Sequence, residues 1–256
     1  MFLKYPDIPE EVLTPEKAAR LKAASGVPHT LVYRRCCEEY ELPNYDLPAQ
    51  QAAEEHWQRH RQRFPPELEP YKHLVWVETI NEPDKNRREW LAEFSYYTAL
   101  LAMADGFNYA AFAWSSGEPE SEHWQGPWMR SFLELAGNNP ERVAVALHEY
   151  DYGGDNVRYE QTYPFLIGRF ERLFSICDGW GIPRPTVVIT EFGRPGSYDL
   201  PSTLDLDVPW AARLYARHPQ VKGAALWYLG VGGPPETWQL IGPLTGYSLQ
   251  NYFEIP

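Results

Sequence analysis

Glu82 and Glu191 each stand where an apolar run should give way to a turn. The first run, "HLVWVETIN", leads into Asn81, Glu82 and Pro83, and the second, "TVVITEF", carries Glu191 near its end. A strand that ends in solvent favours Gly, Asn, Asp or Ser, so a carboxylate held between an amide and a proline invites a chemical reading. Cleavage of a glycosidic bond needs two carboxyl groups, one to protonate the leaving oxygen and one to attack or to activate water. Other polar residues fall at comparable places. Ser115 and Ser116 follow "NYAAFAW", His148 and Tyr150 close "RVAVALHEY", and Trp227 lies in "GAALWYL".

The elements that must position these residues alternate along the chain. Apolar or β-branched runs predict strands at 2–5, 29–35, 73–81, 108–115, 142–150, 186–192 and 223–229. Most are apolar on both faces, as parallel strands covered by helices must be. Helical patterns lie between them at 14–25, 47–64, 86–106, 127–137, 158–181 and 208–218. Thr14 is placed to cap the first helix, and Pro48 sits in the first turn of the second. This order predicts an α/β fold with a parallel sheet, a TIM (β/α)8-type barrel with about seven βα units in the chain. No Gly- or Ser-rich linker and no fixed repeat divides the sequence, so residues 1–256 read as a single barrel domain. The active-site face of such a barrel is formed by the C-terminal ends of its strands.

Composition narrows the partners. The net charge of −12 argues against nucleic acid and against anionic membrane surfaces. Aromatic residues reach 15%, enough to line a cleft as well as to fill a core. The three cysteines, with Cys36 and Cys37 adjacent, suggest no disulfide framework, and no metal-ligand spacing is visible, so neither a metal nor another cofactor is expected. No run approaches the roughly 18 apolar residues of a membrane span. The first residues, "MFLKYPDIPE", lack the apolar core of a signal peptide. As written the chain reads as cytoplasmic; it would be secreted if an N-terminal segment is missing.

"VWVETINEP", followed 109 residues further on by the Glu of "VVITEFG", resembles clan A of the glycoside hydrolases, retaining TIM-barrel enzymes with catalytic Glu residues at strand ends four and seven. The resemblance implies Glu82 as acid/base, Glu191 as nucleophile, and Asn81 as the hydrogen-bonding partner of the sugar 2-hydroxyl. It implies that His148 and Tyr150 form the His-x-Tyr pair whose tyrosine contacts the nucleophile, and that Trp227 floors the site. It also implies an Arg supporting the nucleophile. Of the adjacent Arg34 and Arg35 the sequence does not say which points inward, and Arg35 is carried forward. Trp114, Trp124, Trp128 and Trp238 are candidate sugar platforms, with Trp128 better suited to anchoring a helix. A retaining mechanism leads us to expect a Glu82 pKa raised by apolar walls and by Glu191, and an ionised Glu191 helped by Tyr150. Glu78 reads as a buried carboxylate needing a partner, Glu149 as facing away from the pocket, and Glu118, Glu120 and Glu122 as an acidic loop that is either solvated or binds hydroxyls of a sugar. The implied activity is hydrolysis of a β-linked carbohydrate by double displacement.

Counting back from Asn-Glu-Pro as strand four leaves no strand one. The barrel then presents two open edges that a second copy or the C-terminal stretch could cover, or the strand lies upstream of a chain that is a fragment. The same gap motivates an alternative, a catalytically silent barrel that binds glycans or serves as a scaffold. A metal-dependent barrel hydrolase is a third reading, disfavoured because no His/Asp ligand set converges.

Overall fold

The computed structural model describes residues 3–5, 14–25, 30–35, 40–151, 157–158, 160, 162–194, 203–227 and 239–251. Seven strands form one sheet in sequence order, each parallel to the next. They are β1 (Leu3–Tyr5), β2 (Leu31–Arg34), β3 (Val75–Glu78), β4 (Asn108–Trp114), β5 (Val143–Tyr150), β6 (Thr186–Gly193) and β7 (Val221–Leu226). The helices are α1 (Pro15–Ser25), α2 (Ala49–Arg63), α3 (Arg88–Ala104), α4 (Pro127–Asn138), α5 (Phe170–Trp180), α6 (Val208–Ala216) and α7 (Ile241–Asn251). Thr14 does cap α1, its hydroxyl accepting from Lys17 N at 3.3 Å. The helix expected over 158–181 begins only at Phe170. Before it, Pro164 lacks a donor and Gly168 adopts φ +89°, so residues 162–169 run through turns.

Two apolar clusters show how the sheet curls. One joins outward-facing strand residues such as Leu31, Tyr33, Val75, Val77, Val145 and Val187 to the helices. The other draws only on strands, namely Val32, Trp76, Ala110, Ala113, Ala144, Ala146, Val188 and Ala225. Residues two apart along β5, Ala144 and Ala146, belong to this inner set, and the period continues to His148 and Tyr150. Small side chains let the concave face close tightly, and the polar residues stand above this alanine floor at the strand ends. The curl is deep enough for Arg34 at the end of β2 to reach Glu191 on β6. At the opposite end Thr30 Oγ1 donates to Lys222 O of β7 at 3.5 Å. Among the described residues no ladder joins β1 to β7, and no helix is long and apolar enough to cross a membrane.

Candidate active site

Two breaks in strand register decide which side chains enter the site. In β4, Tyr109 and Ala111 face the helices and Ala110 faces inward. At Phe112 and Ala113 the pairing with β5 slips and both residues take positive φ, +77° and +46°. Phe112 and Trp114 then both face the helices, with Ala113 inward. In β6 the ladder passes from Leu147–Ile189 to His148–Glu191, leaving Thr190 as an extra residue. Val188 and Glu191, three apart, therefore share the inner face. A β-bulge re-aims a side chain in this way, and here it aims the second carboxylate.

The first carboxylate rests on strain of the same kind. Glu82 has φ +44°, and its N–H donates to Ala113 O at 3.0 Å, tying it to the bulge in β4. These are the three non-glycine residues with positive φ among those described, and they adjoin one another. Each such conformation costs about 1–3 kcal/mol and persists where the surroundings enforce it, commonly at functional sites.

The bulge overturns the expectation for Trp114. Its indole is fully buried and stacks on Phe112 at 5.3 Å in the layer between sheet and helices, so it offers no face to a ligand. Trp124 is likewise buried, against Phe112, and Trp128 packs against Tyr96 and Tyr97 of α3. Trp238 lies outside the described residues. Trp227 is half-buried beyond the end of β7 and stacks on Tyr150, with ring centroids 5.4 Å apart.

His148 joins the two carboxylates. Its Nδ1 lies 3.0 Å from Glu82 Oε1 and 3.3 Å from Glu191 Oε2, which calls for a proton on Nδ1. One oxygen of each Glu and this nitrogen all lie within 4.8 Å of one another. Tyr150 donates its hydroxyl to the same Glu82 Oε1 at 2.6 Å. The Glu82 carboxyl is accordingly pulled down to about 2, the His148 hydrogen bond being the largest cause and Tyr150 adding to it against the opposing effect of burial. This reverses the raised value expected from apolar walls, because the Glu82 side chain is 37% exposed and accepts two hydrogen bonds.

Arg34 supplies the guanidinium of the site, and the choice of Arg35 is corrected. Strand alternation turns Arg34 inward with Val32. It reaches Glu191 at 3.7 Å, the buried Glu78 at 3.6 Å and Glu41 at 3.2 Å. Arg35 instead donates to Arg63 O and lies over the Tyr40 ring. Glu78 thus has the partner its burial demands. Asn81 is anchored through its N–H to Glu41 O, and its side-chain Oδ1 is buried with no hydrogen-bond partner. Glu149 faces away as expected, accepting from Gly168 N and Tyr215 Oη behind the sheet.

The rim is tied together by charge. Lys85, three residues beyond Glu82, contacts Glu118 at 3.1 Å and Glu120 at 2.7 Å, and His123 contacts Glu120 at 3.1 Å. Through Glu118 and Glu120 the acidic loop is therefore bound to the loop of the first carboxylate, a link that neither reading of its sequence, solvated or sugar-binding, contains. Glu41, Ser115 and Ser116 also belong to the site. Ser115 and Ser116 could be read from their place at a strand end, whereas nothing local marks Glu41.

No protein-family model and no curated protein sequence matches the chain. Solved structures do. A glycoside hydrolase family 5 enzyme from Prevotella bryantii superposes with a TM-score of 0.57 at 12% identity, covering 98% of this chain and 82% of that one. A family 5 lichenase from a Caldicellulosiruptor species gives 0.55 at 15% identity over 98% and 80%. A family 5 xyloglucan-specific endo-β-1,4-glucanase from a metagenomic library, solved with cellotriose, gives 0.52 at 16% identity over 92% and 77%. The chain has the fold of the clan A glycoside hydrolases.

Proposed function

We propose that the protein is a retaining glycoside hydrolase acting on a β-linked carbohydrate. The observation that carries this reading is the convergence of Glu82, Glu191 and His148 within 4.8 Å at the C-terminal ends of three strands. Retaining enzymes keep their carboxyl groups about 5–5.5 Å apart, whereas inverting ones need about 6.5–9.5 Å to admit a water. The short separation favours direct attack by one carboxylate. In this reading Glu191, braced by Arg34, attacks the anomeric carbon while Glu82 protonates the departing oxygen. Glu82, now ionised, then takes a proton from the water that releases the sugar. Only Oε1 of Glu82 is held by His148 and Tyr150, which leaves Oε2 to meet the leaving oxygen. The resting hydrogen bonds favour the ionised form, so substrate must loosen them before Glu82 can carry its proton. The open acceptor of Asn81 suits a sugar hydroxyl, and Trp227 suits the apolar face of a pyranose ring.

The test is the anomer formed first. Aryl β-glycosides and β-glucan oligosaccharides are mixed with the enzyme and followed by proton NMR before mutarotation. The reading expects the β-anomer to appear first, and the α-anomer would exclude double displacement. Binding of glycans with no turnover would return the silent-barrel alternative.

A further inference from the structure

Two serines at the end of β4 grip Tyr150 at both of its ends. The chain leaves β4 through a turn in which Glu118 N donates to Ser115 O at 2.9 Å, with Gly117 at φ +81°. The positive φ at the third turn position requires glycine, and a Cβ there would also come within 3.0 Å of Leu166 Cδ2. This turn carries both serine hydroxyls to the neighbouring strand. The β4–β5 ladder ends at Trp114–Leu147, three residues short of Tyr150. Ser116 extends it with a side chain: its hydroxyl donates to Tyr150 O at 2.5 Å and accepts from Tyr150 N at 3.1 Å. Ser115 Oγ lies 3.1 Å from the Tyr150 hydroxyl, which is itself 2.6 Å from Glu82 Oε1. The tyrosine proton goes to the carboxylate, so Ser115 must be the donor to the tyrosine oxygen.

We infer that Ser115 and Ser116 are positioning residues for Tyr150, and that Ser115 acts on Glu82 through the tyrosine hydroxyl in addition to its own side-chain interaction with that carboxylate. Ser116 fixes the backbone from which the ring projects, and Trp227 stacks on the ring. Neither constraint fixes the rotation of the hydroxyl, which Ser115 does. A donor into the tyrosine oxygen also polarises the O–H towards Glu82, since hydrogen bonds in a chain strengthen one another. The role of the pair in turnover rests on the glycosidase reading above; the grip on Tyr150 does not.

The experiment therefore has two arms. In the first, protein labelled with 13C at the tyrosine Cζ is examined by NMR, the Tyr150 signal being assigned by its loss in Tyr150→Phe. Ser115→Ala is expected to move that signal and Ser115→Thr, which keeps the hydroxyl, to restore it. An unmoved signal in folded Ser115→Ala overturns the proposal, whether or not the protein hydrolyses anything. In the second arm, phenyl and dinitrophenyl glycosides are compared. Weakening one neutral hydrogen bond to the ionised carboxylate makes Glu82 easier to protonate and predicts roughly a two- to tenfold higher kcat/KM for the phenyl leaving group, which needs the Glu82 proton. Little change is expected for dinitrophenolate, which does not. An equal loss for both leaving groups would mean a general structural role and would refute the action on Glu82.

Discussion

Replacing Arg34 by Met should destabilise the fold more than any other change at the site. Its guanidinium lies 3.6 Å from Glu78, whose side chain is fully buried, and is itself only 12% exposed. At that distance two unit charges attract by about 4–5 kcal/mol for an effective dielectric near 20. Breaking a buried pair by removing one partner typically costs about 3–5 kcal/mol, because the other charge stays buried. Arg34→Met should therefore lose about 3–5 kcal/mol in urea unfolding, read as a lower midpoint with an unchanged slope. Adding Glu78→Met removes the stranded carboxylate and should recover most of that loss, since apolar replacement of a buried pair is often neutral or stabilising. Hydrolysis should stay impaired in the double variant, because Glu191 would still lack the cation 3.7 Å away. A single variant within about 1 kcal/mol of the parent would refute the reasoning. So would a double variant no more stable than the single one.

Other perturbations separate core from site. Glu149 is fully buried and pushed up to about 7 from 4.5, by burial first of all. A carboxyl whose pKa is raised by folding holds more protons folded than unfolded between those values, so its contribution to stability falls as pH rises through that window and is flat above it. Glu149→Gln should remove a loss on the order of 3 kcal/mol between pH 4.5 and 7.5, seen as the pH dependence of the difference in unfolding free energy. His56 and His60 are held neutral, lowered to about 3 and about 4 from 6.5, with burial the main cause. They donate to Thr79 O and Tyr40 O, so stability should fall below pH 6.5 by about 1.4 kcal/mol per unit and per histidine. The His56→Gln/His60→Gln variant should flatten that limb in denaturant titrations. Trp114→Ala should cost about 3–5 kcal/mol of stability with KM unchanged in the folded fraction, whereas Trp227→Ala should raise KM with little effect on stability.

The strands are legible because most of them are apolar on both faces, and their predicted positions differ from the observed ones by a few residues. Strand-end chemistry likewise brought Asn81, Glu82, His148, Tyr150, Glu191 and Trp227 into view. Side-chain direction was less legible. Leu31, Val32 and Tyr33 are all apolar, so no alternation shows that Arg34 rather than Arg35 turns inward. The bulges at Phe112–Ala113 and Thr190 occur in "AFAW" and "ITEF", which contain neither Gly nor Pro to announce them. Perfect alternation from Ala110 would have pointed Trp114 inward, and from Val188 it would have pointed Glu191 outward. The charge state of Glu82 was misread for a related reason. It depends on where the hydroxyl of Tyr150 and the ring of His148 come to rest, which is a property of two strands together.

In the proposed reaction Glu191 attacks and Glu82 serves as acid and base. The most direct measurement is mass spectrometry of the protein after incubation with 2-deoxy-2-fluoro β-glycosides bearing good leaving groups, followed by peptide mapping of the adduct. One covalently bound sugar is expected, on Glu191. A sugar on Glu82, the carboxylate that Tyr150 and His148 hold ionised at rest, would contradict it and exchange the two roles.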